Sequence, residues 1–167
     1  MKKLHVGFGF WIGLITILLV GGYIWWSSVS KDTSMEELER MTSREVALRS
    51  TTDMATKFHI HPEIKIVINE VEQNIPEDIG VNAIGMTAIH THEGGGLIHV
   101  EAPIQKDFTI GDFFAVWGKT FTQNQILDSV VDESHQITVT VNGILVDTFD
   151  NTMMNDHDKI IISYIKK

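Results

Sequence analysis

The stretch ITVTVNGILV, residues 137–146, carries the strongest β-hairpin pattern in the chain. Two runs rich in β-branched residues flank Asn142-Gly143, a dipeptide favoured in the two-residue turns that join antiparallel strands. A further strand is predicted over 159–165, after a polar turn at 155–158. The C-terminal part of the chain is therefore predicted to be mainly β-sheet.

One amphipathic helix is predicted upstream of this hairpin, over 110–117. Thr109 is a suitable N-cap and Gly118 a suitable C-terminal stop. Between them, apolar residues recur at helical intervals, namely Ile110, Phe113, Phe114 and Trp117.

Further towards the N-terminus, the segment 58–69 has a period of two. Isoleucine occupies positions 60, 64, 66 and 68, and mostly polar residues alternate with it, which predicts a strand with one buried face. A second hairpin is predicted over 88–101, reversed at the three glycines 94–96. Strands, one helix and more strands predict a small, mostly-β domain of the α+β class, for which a β-grasp-like arrangement is a candidate.

Composition limits what the chain can be. Its 167 residues suffice for one membrane anchor and one modest domain. A net charge of -9 argues against nucleic-acid binding, which depends on lysine and arginine to neutralise phosphates. The absence of cysteine excludes disulfides, thiolate zinc sites and iron–sulfur clusters.

The segment 6–26 contains no charged residue and is long enough, as a helix, to cross the hydrocarbon layer. Lys2 and Lys3 precede it, so the positive-inside rule places the N-terminus in the cytoplasm. A cleaved signal peptide is the alternative, but the apolar segment is long and no A-x-A cleavage site follows it. The sequence predicts a single-pass protein of the cell membrane, with the lipid bilayer as a partner.

The predicted organisation has four parts. Residues 1–5 form a cytoplasmic tail, 6–26 the transmembrane anchor, 27–57 a stalk and 58–167 an extracytoplasmic domain. Ser34 begins a capping-box pattern, so the stalk is predicted to be partly helical. Its polar composition is typical of a solvated spacer.

Five histidines lie between positions 59 and 99, as two H-x-H pairs and a fifth member. Residues i and i+2 of a strand share a face, roughly 6–7 Å apart, so each pair can close on one metal ion. Neutral imidazoles without thiolates suit copper(II) or zinc(II). The predicted ligands are His59, His61, His90 and His92, with His99, Glu93 and Glu101 as alternates.

Three functions are compatible with this pattern. The first is a metal-binding domain for metal handling or for a membrane-associated redox assembly. The second is a non-catalytic accessory subunit that docks onto a membrane complex, with histidines that only form hydrogen bonds. The third is a metal-dependent oxidase or dioxygenase using two histidines and Glu93 or Glu101. No catalytic residue is predicted, because hydrolase, nucleotide and thiol motifs are missing, and binding is favoured over catalysis.

Several motifs resemble those of an uncharacterised family of small membrane-anchored or secreted archaeal and bacterial proteins. They are HIHP (59–62), IPEDIGV (75–81), IHTHE (89–93), GLIHVEAP (96–103) and FTIGDFFAVWG (108–118). The resemblance covers most of 58–165 and implies a shared extracytoplasmic domain without indicating an activity. Where that family has Asp after the second H-x-H, this chain has Glu93, which keeps a carboxylate with a longer reach.

The cupin family also has H-x-H followed by Glu. In this chain, however, Glu93 follows His92 directly and a second histidine motif is missing. A cupin domain is therefore not expected. His135 and His157, which lie outside the crowded segment, are interpreted as surface residues.

Overall fold

The computed structural model describes residues 35–51, 56–83 and 85–167. The chain divides into two units, Met1–Arg40 and Met41–Lys167. In the first, residues 35–40 are helical and Arg40 pairs with Glu36 one turn earlier. The predicted tail and anchor lie outside the described residues. Among the residues that are described, none of the helices has the length and apolar composition needed to cross a membrane.

The second unit is built mainly of short strands with few helices, which confirms the predicted small, mostly-β domain. Its helices are Ser43–Ala47 and Ile110–Trp117, with a 3-10 turn at Phe149–Asn151. Its strands are β1 (Ser50–Thr51), β2 (Phe58–Ile60), β3 (Glu63–Ile68), β4 (Val71–Gln73), β5 (Val81–Asn82), β6 (Gly85–Thr87), β7 (Ile89–His90), β8 (His99–Ala102), β9 (Phe121–Thr122), β10 (Gln125–Ile126), β11 (Ser129–Val130), β12 (His135–Val141), β13 (Ile144–Val146) and β14 (Lys159–Lys166).

The largest sheet has five strands in the order β13-β12-β14-β3-β4. All neighbours are antiparallel except β14 and β3, which run parallel in the centre. The predicted hairpin is confirmed, since Val141 pairs with Ile144 around Asn142-Gly143, and both turn residues have positive φ. Ile64, Ile66, Ile160 and Ile162 on the central strands are buried and form part of the core.

The predicted helix is confirmed at Ile110–Trp117, between Thr109 and Gly118. Thr109 Oγ1 accepts the backbone N–H of Asp112, and Asp112 accepts the N–H of Thr109, a reciprocal capping box. Gly118 takes the left-handed conformation that ends many helices. Asp112 also accepts a 2.6 Å hydrogen bond from Arg44 Nε, a long-range contact that the local pattern does not reveal.

The compact unit starts earlier than the boundary predicted at residue 58. The helix Ser43–Ala47 has a capping box between Thr42 and Glu45, and Val46 and Ala47 are buried. Strand β1 then pairs with β6. Residues 41–51 therefore belong to the folded domain, and the interpretation of 27–57 as a solvated spacer does not hold for them.

The alternating segment 58–69 forms two strands instead of one. Strand β2 joins a three-stranded sheet in the order β2-β8-β7, whereas β3 joins the five-stranded sheet. The break falls at His61-Pro62, where proline has no N–H to donate to a strand ladder. The Pro62 carbonyl instead accepts Ile98 N–H at 2.9 Å. Because of this break, the strand before Pro62 lies in the same sheet as β7, and the first histidine pair is close to the sheet that holds the second.

Candidate metal centre

The sheet β2-β8-β7 brings histidines from remote parts of the chain onto one face. In its central strand β8, His99 and Glu101 are two residues apart and so share a face. Antiparallel pairing places His59 opposite Glu101 and His90 opposite His99. Val100 and Ala102, which alternate with them, are fully buried on the other face. The sheet thus has an apolar core face and a histidine face.

The two remaining histidines, His61 and His92, lie just beyond the ends of β2 and β7. Measured between ring centroids, His61 lies 4.8 Å and His92 lies 4.7 Å from His99. His99 is therefore central to the group. We refer to His59, His61, His90, His92 and His99 as the histidine cluster.

Within the histidine cluster, two groups of three offer closely spaced nitrogen donors. The inner triad is His90, His92 and His99, and the outer triad is His59, His61 and His99. In each triad the potential ligand atoms lie within 4.8 Å of one another. His99 belongs to both.

The His90–His92 pair already has a spacing that suits a metal ion. Its two Nε2 atoms are 3.2 Å apart. Two nitrogens bound to a tetrahedral zinc at 2.0–2.1 Å are about 3.3 Å apart. One edge of the inner triad therefore needs little movement to bind.

The backbone fixes the tautomer of His90. Its side chain is fully buried, and Nδ1 lies 3.0 Å from the Thr87 carbonyl oxygen. Because a carbonyl only accepts, Nδ1 carries the proton and donates it, which leaves Nε2 of the neutral ring with its lone pair. A carbonyl behind the ring is a common support of histidine ligands in metal sites.

Thr91 holds the second pair in place. Its hydroxyl donates to the Pro76 carbonyl and accepts Ile79 N–H, each at 3.0 Å. Its backbone N–H donates to the Ile79 carbonyl, and its carbonyl accepts Asp78 N–H. Thr91 is itself fully buried. Residues of the segment 76–79 thus fix the position of the residue between His90 and His92.

Two carboxylates border the outer triad. Glu101 Oε1 lies 2.9 Å from His59 Nε2 and 3.9 Å from His99 Nδ1. Asp156 Oδ1 accepts His61 N–H at 2.8 Å and lies 3.9 Å from His61 Nδ1. Sequence reasoning treated Asp156 only as a turn residue, because its approach depends on a contact between residues 95 positions apart.

The other predicted ligand, Glu93, is exposed and belongs to neither triad. Outside the histidine cluster, His135 pairs with Asp132 at 2.9 Å and stacks on Tyr164. His157 is 80% exposed and lies 3.3 Å from Asp156.

His99 has an unusual environment for a structural histidine. Its Nδ1 atom is buried and has no hydrogen-bond partner among the described residues. A buried polar atom without a partner is costly and calls for an explanation, one of which is an ion. The central ring thus has one buried nitrogen to which no described residue forms a hydrogen bond.

Burial lowers the pKa of both His90 and His99 below the ordinary histidine value. Neighbouring imidazoles act in the same direction, namely His92 and His59 on His90, and His92, His61 and His90 on His99. Glu101 opposes the effect on each. At neutral pH both rings are therefore neutral, the form that binds metals.

The metal-free protein is expected to lose stability as the pH falls below about 6.5. Unfolded histidines protonate near that pH, whereas His90 and His99 resist protonation in the folded state. The unfolded chain then binds more protons, so the free energy of unfolding decreases with decreasing pH, while above about 6.5 these groups make no difference. Urea unfolding between pH 7.5 and 5.5 measures this. The decline should be shallower in His90→Gln and His99→Gln, and an unchanged slope in both would contradict the assignment.

No protein-family model matches the chain, and no curated protein or solved structure shows significant similarity to it. Its function is therefore argued from the geometry of this site.

Proposed function

We propose that the domain binds a divalent copper or zinc ion through the histidine cluster. The observation that supports this most strongly is the convergence of five imidazoles on one face of a sheet, with two sets of three donors each within 4.8 Å. Closely spaced imidazoles, of which His90 is fully buried, suit a cation that coordinates lone pairs.

The competing interpretation is a network of hydrogen bonds, as in an accessory subunit with structural histidines. Such a network should give each buried ring nitrogen a partner. His90 has a partner for each ring nitrogen, the Thr87 carbonyl for Nδ1 and His92 Nε2 for Nε2. His99 Nδ1, at the centre, has no hydrogen-bond partner among the described residues, and a bound metal ion would supply one.

The donor set indicates which metals fit. With nitrogen ligands, two nearby carboxylates and no cysteine in the chain, copper(II) and zinc(II) are favoured over metals that prefer all-oxygen or thiolate sites. Copper binds such ligands more strongly than zinc when the geometry is undemanding.

The proposed setting is the outer surface of a cell membrane, where the domain handles metal. The uncharged segment 6–26 serves as the anchor, and the lysines before it orient the domain outward. A β-grasp-like arrangement is supported by the strand order β13-β12-β14-β3-β4. The strands of this sheet that come first and last in sequence, β3 and β14, are parallel neighbours in the centre. The hairpin β3-β4 lies on one side and the hairpin β12-β13 on the other, and the helix Ile110–Trp117 lies between the two hairpins in sequence.

Metal content of the full-length chain, purified in detergent without a polyhistidine tag, tests the proposal. After equilibrium dialysis against zinc or copper(II), the wild-type chain should retain at least one ion. A variant with His61→Ala, His92→Ala and His99→Ala should retain none, because each triad keeps a single histidine.

His135→Ala is the matched control, since it also removes a histidine but leaves both triads intact. It should bind metal like the wild type. Circular dichroism checks that all variants are folded. A wild-type chain that retains no metal, or a folded triple variant that retains as much as the wild type, would refute the proposal.

A further inference from the structure

We infer that the histidine cluster holds two metal ions at once, one in each triad, bridged by His99. This inference rests on the proposed metal-binding function and specifies the number of ions and the residue that joins them. Four histidines belong to only one triad, and His99 belongs to both.

The number of ligands favours two positions over one. Zinc is usually four-coordinate in proteins, so five imidazoles exceed the needs of a single ion. Divided between two ions, each position has two histidines of its own and a share of His99. A neutral imidazole has one nitrogen with a free lone pair and one N–H. Binding of the second ion displaces the N–H proton of His99 to solvent, so the ring bridges the two ions as an imidazolate.

The position of His99 between the pairs fits a bridge. Measured between ring centroids, His99 lies 5.5 Å from His90 and 4.7 Å from His92. On the other side, it lies 4.8 Å from His61 and 6.5 Å from His59. Nδ1 faces the outer side, because it lies 3.9 Å from the Glu101 oxygen that pairs with His59. Nε2 is the donor that remains for the inner position. Two ions bound to opposite nitrogens of one ring would be roughly 6 Å apart.

The charges around the cluster make double occupancy feasible. Glu101 and Asp156 both contact residues of the outer triad, so two negative charges lie beside the outer ion. A bridge also gives His99 Nδ1 the partner that it lacks among the described residues. Metal ions as close as about 3.5–4 Å occur together in many enzymes, so two ions at the larger separation inferred for this cluster, where their repulsion is weaker, are compatible with protein ligands.

The two positions differ in character. Each triad has one exposed histidine, but the inner triad also includes the fully buried His90, and the outer triad has no fully buried member. The outer triad lies beside carboxylates, and the His59 side chain is 46% exposed. The outer ion should therefore exchange with solvent faster than the inner ion.

Stoichiometry of the full-length chain tests this inference directly. Titration with zinc followed by elemental analysis should give two ions per wild-type chain. The variant His59→Ala/His61→Ala should keep one ion in the inner position, and His90→Ala/His92→Ala should keep one in the outer position. His99→Ala should weaken binding at both positions at least tenfold.

Copper(II) adds a spectroscopic signature that a merely structural His99 would not produce. In the fully loaded wild type, electron paramagnetic resonance should show exchange coupling transmitted through the bridging His99 ring, seen as a signal weaker than that of two independent copper(II) ions. Each double variant, with one ion, should show an uncoupled signal, and His135→Ala should resemble the wild type.

The outcomes separate this inference from the proposed function. Two coupled ions in the wild type support both. A single ion per wild-type chain overturns the two-ion inference and leaves metal binding intact, and no ion overturns both. Two ions that are uncoupled, or that persist at wild-type affinity in His99→Ala, show that His99 is not a bridge.

Discussion

Zinc at a hundred times its dissociation constant is expected to raise the free energy of unfolding by about 2.7 kcal/mol for each ion that binds. The reason is that the histidine cluster exists only in the folded chain. Its members come from β2, β7, β8 and the residues just beyond β2 and β7, and they lie up to 40 positions apart in sequence (from His59 to His99). For a domain of this size the melting temperature should rise by about 10 °C for each bound ion. Differential scanning calorimetry of the full-length chain with and without zinc measures this.

Matched variants identify the origin of the stabilisation. The triple variant His61→Ala/His92→Ala/His99→Ala should lose nearly all of the shift, whereas His135→Ala should keep it. Zinc is preferred to copper(II) here, because copper binds histidines of the unfolded chain more strongly and so reduces the observed effect. An equal shift in the triple variant would mean that zinc binds elsewhere, and no shift in the wild type would argue against any zinc site.

Gly96→Ala is expected to destabilise the fold by about 3–5 kcal/mol, whereas Gly95→Ala should cost only about 1–2 kcal/mol. Both glycines have positive φ, which disfavours alanine equally. They differ in their surroundings. A Cβ on Gly96 would clash with the Ile64 carbonyl oxygen, whereas a Cβ on Gly95 would meet nothing within 4 Å.

The Gly96 contact cannot relax easily, because the Ile64 backbone belongs to a central strand. Ile64 N–H also donates to the Gly96 carbonyl at 2.8 Å, so the two backbones are bound together at this point. Urea unfolding of the two variants measures the difference. Since this loop connects His92 to His99, Gly96→Ala should also weaken metal binding more than Gly95→Ala does. Equal stability of the two variants would show that the close approach is not required.

Much of the local structure could be predicted from sequence. The Asn142-Gly143 turn and the Thr109 and Gly118 caps lie within the elements that they define, so short-range chemistry suffices to place them. The i, i+2 spacing of His59/His61 and His90/His92 likewise predicts a shared face for each pair. A hairpin across the three glycines places His90 beside His99, and the structure pairs these two residues.

The rest depends on contacts between distant parts of the chain. The helix Ser43–Ala47 joins the domain because Arg44 reaches Asp112, 68 positions away. Asp156 lies beside His61 because of a contact between residues 95 positions apart. Thr91 is held by hydrogen bonds to Pro76 and Ile79, which come from an earlier segment of the chain. Nothing in the composition of these segments distinguishes them from ordinary turns and spacers.

The alternation of residues, the turn of the main hairpin and the two ends of the helix could be read from the order of amino acids, because they follow from steric and hydrogen-bonding preferences that act over a few residues. The presence of five imidazoles and the absence of a thiolate follow from composition. The placement of β8 between β2 and β7, which puts His99 between the two histidine pairs, emerges only from the folded chain. The reason is that strand order is selected by burying Val100, Ala102 and Ile89 together on the opposite face, a cooperative choice that no single segment encodes.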